Sequence, residues 1–101
     1  SGMIEADASR KPPLIRAANH SLPNSVAGAM AGIIREYGFA EAQSVGVSAG
    51  HQMLKAATIA RKYLEADRLA LFMVPDFTTV FIKGQRRSAI RLFLSGREPV
   101  G

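Results

Sequence analysis

A chain of 101 residues, 48% of them apolar, is sized for one domain with a two-layer core. It contains no cysteine, which excludes disulfides, cysteine-ligated zinc, thiol catalysis and thiol redox sensing, and its two histidines, His20 and His51, are too few for a histidine-based metal cluster. Thirteen Lys and Arg against eight Asp and Glu leave a formal net charge of +5, a balance that favours anionic partners such as nucleic acid.

Residues 1–13 read as a flexible leader: Ser1-Gly2 ahead of Met3 resembles a cloning remnant, and the remainder is polar, charge-balanced and closed by Pro12-Pro13. A single folded unit is predicted over 14–101, opening with a short strand at 14–18. A helix is predicted over 24–37. Pro23 suits a first helical turn, Ser21 and Asn24 offer capping oxygens, and Gly38 follows as a left-handed C-cap. Val26, Met30, Ile33 and Tyr37 fall on one face at helical spacing. Gly28 and Gly32 share a different face. Interior helix glycines cost roughly 1 kcal/mol each relative to alanine, so these two are expected to mark a close backbone approach to another element.

A second strand is predicted over 42–47, with Val45 and Val47 on one side, then a turn at Ser48-Ala49-Gly50. The second helix is expected over 50–64. Met53, Ala57, Ala60 and Leu64 form its apolar stripe, and Lys55 and Lys62 lie on another face. Two successive strand–helix units predict a parallel strand pair with right-handed crossovers. The period then changes to two over 69–74, 77–82 and 89–94, with Lys83-Gly84-Gln85-Arg86 as a turn, which reads as a β-hairpin. Pro75-Asp76 interrupts its first arm and predicts a bulge or kink. The fold class is therefore α+β: a two-layer β-α-β-α-β-β sandwich, its mixed sheet covered by two helices and ending in the hairpin.

Several constellations bear on function. The pairs of an enzyme reading are Ser21 beside His20 and Ser48 near His51, and neither spacing matches a catalytic motif. No Walker loop or dinucleotide fingerprint is present. The expectation is a non-enzymatic protein with no cofactor, no metal and no small-molecule substrate. No stretch approaches the roughly 20 apolar residues of a membrane span, and no basic-then-apolar signal segment opens the chain, so a cytoplasmic location without membrane contact is expected. Phe72, Phe77, Phe81 and Phe93 alternate with other residues on the late strands. They are assigned to core or dimer packing, with base stacking as the alternative.

The wording Pro-Asn-Ser-Val-Ala-Gly-Ala at 23–29 resembles the stage V sporulation protein S family. The likeness extends over about 14–94 through His51-Gln52-Met53-Leu54-Lys55-Ala56, Ile59-Ala60-Arg61 and Arg87-Ser88-Ala89-Ile90. It implies an Alba-like fold of the same element order, a role in sporulation or septation control, and a homodimer or larger homo-oligomer. Alba proteins grip nucleic acid with paired lysines before the first helix, an Arg-Gly-Arg-like loop before the second, and basic hairpin arms. Here the paired positions are Asn19 and His20, and the loop positions are Ala49, Gly50 and His51; only Gly50 is kept. The nucleic-acid-binding residues implied are thus Lys83, Arg86 and Arg87 of the hairpin, Lys55 of the second helix, and the loop residues Asn19, His20 and His51. The partner expected is DNA or RNA, bound through phosphates with low sequence specificity. The alternative is a self-associating scaffold or protein-interaction module.

Overall fold

Six elements follow one another in the predicted order in a computed structural model, which describes residues 11–98: β1 (Ile15–Ala17), α1 (Pro23–Tyr37), β2 (Phe39–Val45), α2 (Val47–Glu65), β3 (Ala70–Ile82) and β4 (Gln85–Arg97). The leader assigned to 1–13 lies outside the described residues as far as residue 10, and 11–14 carry no regular structure. The four strands form one mixed sheet in the order β1-β2-β4-β3. β1 runs parallel to β2, and β4 runs antiparallel to both β2 and β3. β2 and β3 therefore point the same way with β4 inserted between them, the arrangement expected of an Alba-like fold.

Directly paired residues of neighbouring strands project to the same face of a sheet. The register pairs Ala40 with Leu94, Ala42 with Leu92 and Ser44 with Ile90, so small residues of β2 sit beside larger apolar ones of β4 on the helix-covered face. Against them α1 buries Ala27, Met30, Ala31 and Ile34, and α2 buries Ala49, Met53, Ala56, Ala57, Ala60 and Leu64. Alanine at so many of these positions lets the backbones approach closely, while Met30, Ile34, Met53, Leu64 and Leu94 fill the space between. On the opposite face Phe39 stacks on Phe93 at 5.3 Å. Arg35 closes the end of α1 against the α2–β3 connection, through Asp67 at 2.6 Å and the Tyr63 carbonyl at 3.0 Å.

Several local expectations are corrected. Leu22, not Ser21 or Asn24, is the N-cap of α1, and no side chain caps it. Ser21 Oγ instead accepts the Ala18 N–H at 2.8 Å, tightening the loop before the helix. The buried face of α1 is rotated toward Ala27, Ala31 and Ile34, leaving Val26, Ile33 and Tyr37 half-buried. Gly28 and Gly32 are exposed, and a Cβ at either would meet nothing within 4 Å. The close approach occurs elsewhere. An added Cβ on Gly96 in β4 would lie 2.8 Å from Ile34 Cγ2 and 3.3 Å from Leu69 Cδ1.

The turn predicted at 48–50 belongs to α2, and the chain reverses one residue after β2, at Gly46 with φ 89°. Val47 consequently begins the helix and is 92% exposed instead of lining a strand. β3 continues through Pro75 and Asp76, which pair with Leu92 and Arg91 without a break in register. β3 is an edge strand, so a proline whose missing N–H faces outward removes nothing from the ladder. The hairpin turn is the two-residue Lys83-Gly84, with φ 51° and 76°, the pair of positive φ values that matches the twist of flanking strands. Phe72, Phe77, Phe81 and Phe93 are all exposed, so the core-packing assignment fails for them.

Among the described residues Ser44 is the one buried polar residue of the core, and its hydroxyl has no hydrogen-bond partner. An unpaired buried hydroxyl costs roughly 1–3 kcal/mol. Ser44→Ala is therefore expected to leave stability unchanged or to raise it in urea unfolding. A loss above about 1 kcal/mol would reveal a partner for this hydroxyl.

Candidate nucleic-acid interface

The C-terminal ends of β1 and β2, the first turn of α2 and the hairpin strands converge on a cleft of about 710 Å³. β1 alternates: Ile15 and Ala17 are buried, and Arg16 between them is exposed and lines the cleft. From the hairpin, Val80 and Arg87 are paired in register and line the cleft together, next to Phe81. Phe81 in turn pairs with Arg86, whose guanidinium carbon lies 5.8 Å from the ring centroid. Among the described residues the cleft is lined by no carboxylate, and neither Arg16 nor Arg87 makes an ion pair.

The polar side chains lining the cleft are Arg16, Asn19, Gln43, Ser48 and Arg87. Gln43 lies beside Arg16 in the β1–β2 ladder and lines the cleft, and its amide oxygen accepts from Arg91 Nη2 at 2.7 Å. Asn19 enters from the loop before α1. Its amide oxygen faces His20 Nδ1 at 3.2 Å, an approach that is a hydrogen bond only with the imidazole donating, and its carbonyl accepts from Gln52 Nε2 at 3.4 Å. That second bond ties the β1–α1 loop to α2. The N-terminus of α2 adds backbone N–H groups at Val47 and Ser48, which no side chain caps.

The residues expected at the interface are thus divided. Asn19 and Arg87 both line the cleft, and His20 is adjacent to Asn19, with Nδ1 3.2 Å from its amide oxygen. Arg86 and Lys83 occupy the exposed end of the hairpin, Lys83 in the turn itself. His51 and Lys55 stand one turn apart on the exposed face of α2 and line a separate shallow hollow with Leu54 and Thr58. Lys55 also borders a hollow with Asn24 and Ser25 at the start of α1. The Ser21–His20 pair considered for catalysis is not assembled, since each side chain is engaged elsewhere. Sequence reading missed Arg16 and Gln43. Arg16 was legible only as the polar residue of an Ile-Arg-Ala alternation, and nothing local ties it to Arg87.

Among the described residues no helix is long and apolar enough to cross a membrane. Residues 13–97 match the family model described as Stage V sporulation protein S.

Proposed function

The chain belongs to the stage V sporulation protein S family, not a known enzyme family, and from that premise we propose that it is a non-enzymatic regulatory protein that binds nucleic acid through phosphate contacts with low sequence specificity. One observation carries this reading. Arg16 and Arg87 line one cleft, with no carboxylate in its lining among the described residues, and Arg86 and Lys83 lie beyond Arg87 toward the exposed end of the same hairpin. In a chain of formal net charge +5 such a cluster concentrates positive potential where backbone phosphates dock. The absence of lysine at Asn19 and His20 is compensated in this reading by Arg16 and by the uncapped start of α2. An electrophoretic shift assay with random duplex DNA and with single-stranded RNA at two salt concentrations tests it. Affinity is expected to fall steeply with salt, because phosphate contacts release counterions. Binding that ignores salt, or no binding, would overturn the reading.

A second reading, self-association through β3, is favoured by a separate observation. This edge strand leaves Phe72, Val74, Phe77 and Phe81 exposed, with Phe77 at 76%, beside an unpaired ladder edge. Long apolar edges of this kind recruit another strand or surface. Light scattering at micromolar concentration is expected to return at least a dimer, and a single 10.8 kDa species would exclude it.

A further inference from the structure

The register of the sheet sorts its exposed aromatic side chains by face. Residues an even number apart on a strand, and residues directly paired across strands, share a face. Phe39 and Phe72, both paired with Ser95, and Phe93, paired with Val74, therefore lie on the side away from the helices. Phe77, paired with Ile90, and Phe81, paired with Arg86, lie on the helix side. We infer that the helix-free face is a stacking platform for the bases of a single-stranded nucleic acid, built from Phe39, Phe72 and Phe93 with Arg97 beside them. The inference rests on the nucleic-acid reading above and goes beyond it by adding a base-contacting surface outside the cleft and by choosing the single strand over the duplex.

Phe39 and Phe93 stand on the two central strands, β2 and β4, with ring planes 21° from parallel and centroids 5.3 Å apart. Phe72 follows on β3, 54% exposed, and the guanidinium carbon of Arg97 lies 5.9 Å from its ring centroid. Arg97 makes no ion pair among the described residues. Aromatic rings and guanidinium planes are both surfaces on which unpaired bases stack. A duplex keeps its bases stacked on one another and offers them no base face.

Charge selects the occupant. The sheet residues of this face include Arg16, Arg87, Arg91 and Arg97 against Glu41 and Asp76. Both carboxylates neighbour Arg91, Glu41 at 4.0 Å and Asp76 directly across the ladder, so the unbalanced positive charge falls at the two ends. One end is the cleft with Arg16 and Arg87, and the other is the aromatic group with Arg97. From Arg87 to Arg97, β4 spans about 33 Å at roughly 3.3 Å per residue, room for several nucleotides of an extended strand. A polyanion meets a cation at each end. A second copy laid on this face would bring positive end against positive end in either orientation.

The test uses the whole chain and fluorescence anisotropy with a labelled 12-nucleotide RNA of mixed sequence and the blunt duplex of the same sequence. Phe72→Leu combined with Phe93→Leu, both at exposed positions, keeps apolar bulk, removes two ring faces and alters no residue assigned to phosphates. It is expected to weaken single-strand binding at least tenfold and duplex binding less than threefold. The salt slope of single-strand binding is expected to stay unchanged, because no phosphate contact is lost. A 12-mer carrying 5-iodouridine is expected to photocrosslink to the wild-type protein at Phe39, Phe72 or Phe93, a result independent of whether the variant folds. Wild-type single-strand affinity in the variant, an equal loss for the duplex, or crosslinks confined to the cleft and the Lys83-Gly84 turn overturns the inference and leaves the nucleic-acid reading standing. Binding of neither form overturns both. A variant of smaller mass than the wild type in light scattering also overturns the inference, because a second copy then covers this face.

Discussion

Reversing Arg86 and Arg87 to glutamate together is expected to lower nucleic-acid affinity at least a hundredfold while leaving the fold intact. The two side chains leave neighbouring positions of β4 toward opposite faces of the hairpin, Arg86 over the Phe81 ring and Arg87 beside Val80 in the cleft. The pair therefore serves both the exposed end of the hairpin and the cleft, and its reversal places two carboxylates where phosphates are to dock. That is a change of four charges on a chain whose formal net charge is +5. Both residues are exposed and neither makes an ion pair among the described residues, so little stability is at stake. Anisotropy titrations at several salt concentrations check this. The slope of log affinity against log salt is expected to become shallower by about 1 for each phosphate that the variant no longer neutralises. Wild-type affinity in a double variant that melts normally would remove the nucleic-acid reading and leave self-association through β3 as the better account.

Gly96→Ala is expected to destabilise the protein by about 1–3 kcal/mol, the usual cost of overpacking a filled core. Gly28→Ala and Gly32→Ala are expected to stabilise it by roughly 0.5–1 kcal/mol each, as helix glycines replaced in open space do. The difference in sign comes from the neighbours. A Cβ on Gly96 meets Ile34 Cγ2 at 2.8 Å, and Ile34 is only 2% exposed and branched at its own Cβ, so it has nowhere to withdraw. Gly28 and Gly32 face open space. In a domain of this length 1 kcal/mol corresponds to about 4–8 °C in Tm, so calorimetry separates the two classes. A wild-type Tm for Gly96→Ala would refute the close approach. A lowered Tm for the two helix variants would mean that this face of α1 is covered by another copy in solution.

The hairpin cations were legible in the sequence because Lys83, Arg86 and Arg87 lie within five residues of one another at a turn signal. Lys83-Gly84 then satisfies that turn with two positive φ values. The end of α1 at Gly38 and the stripe Met53, Ala57, Ala60, Leu64 of α2 were legible for the same reason: capping and helical periodicity are decided by neighbours a few residues away. Where two local signals competed, the reading failed. Gly50 looked like a turn, but the chain reverses at Gly46 and the helix runs through it. The glycines of α1 looked like packing devices, but the helix turns them outward.

The order of elements, the α+β class and the basic hairpin were therefore determined by the sequence alone, through short-range propensity, periodicity and charge. The order β1-β2-β4-β3, the unbroken passage of β3 through Pro75, the close approach at Gly96 and the placement of Arg16 and Arg87 on one cleft were decided only in the tertiary structure. Each depends on which distant segment lies alongside, and that choice is made by burying the alanines of β2 and the leucines of β4 under two helices at once, a collective requirement that no local window of residues encodes.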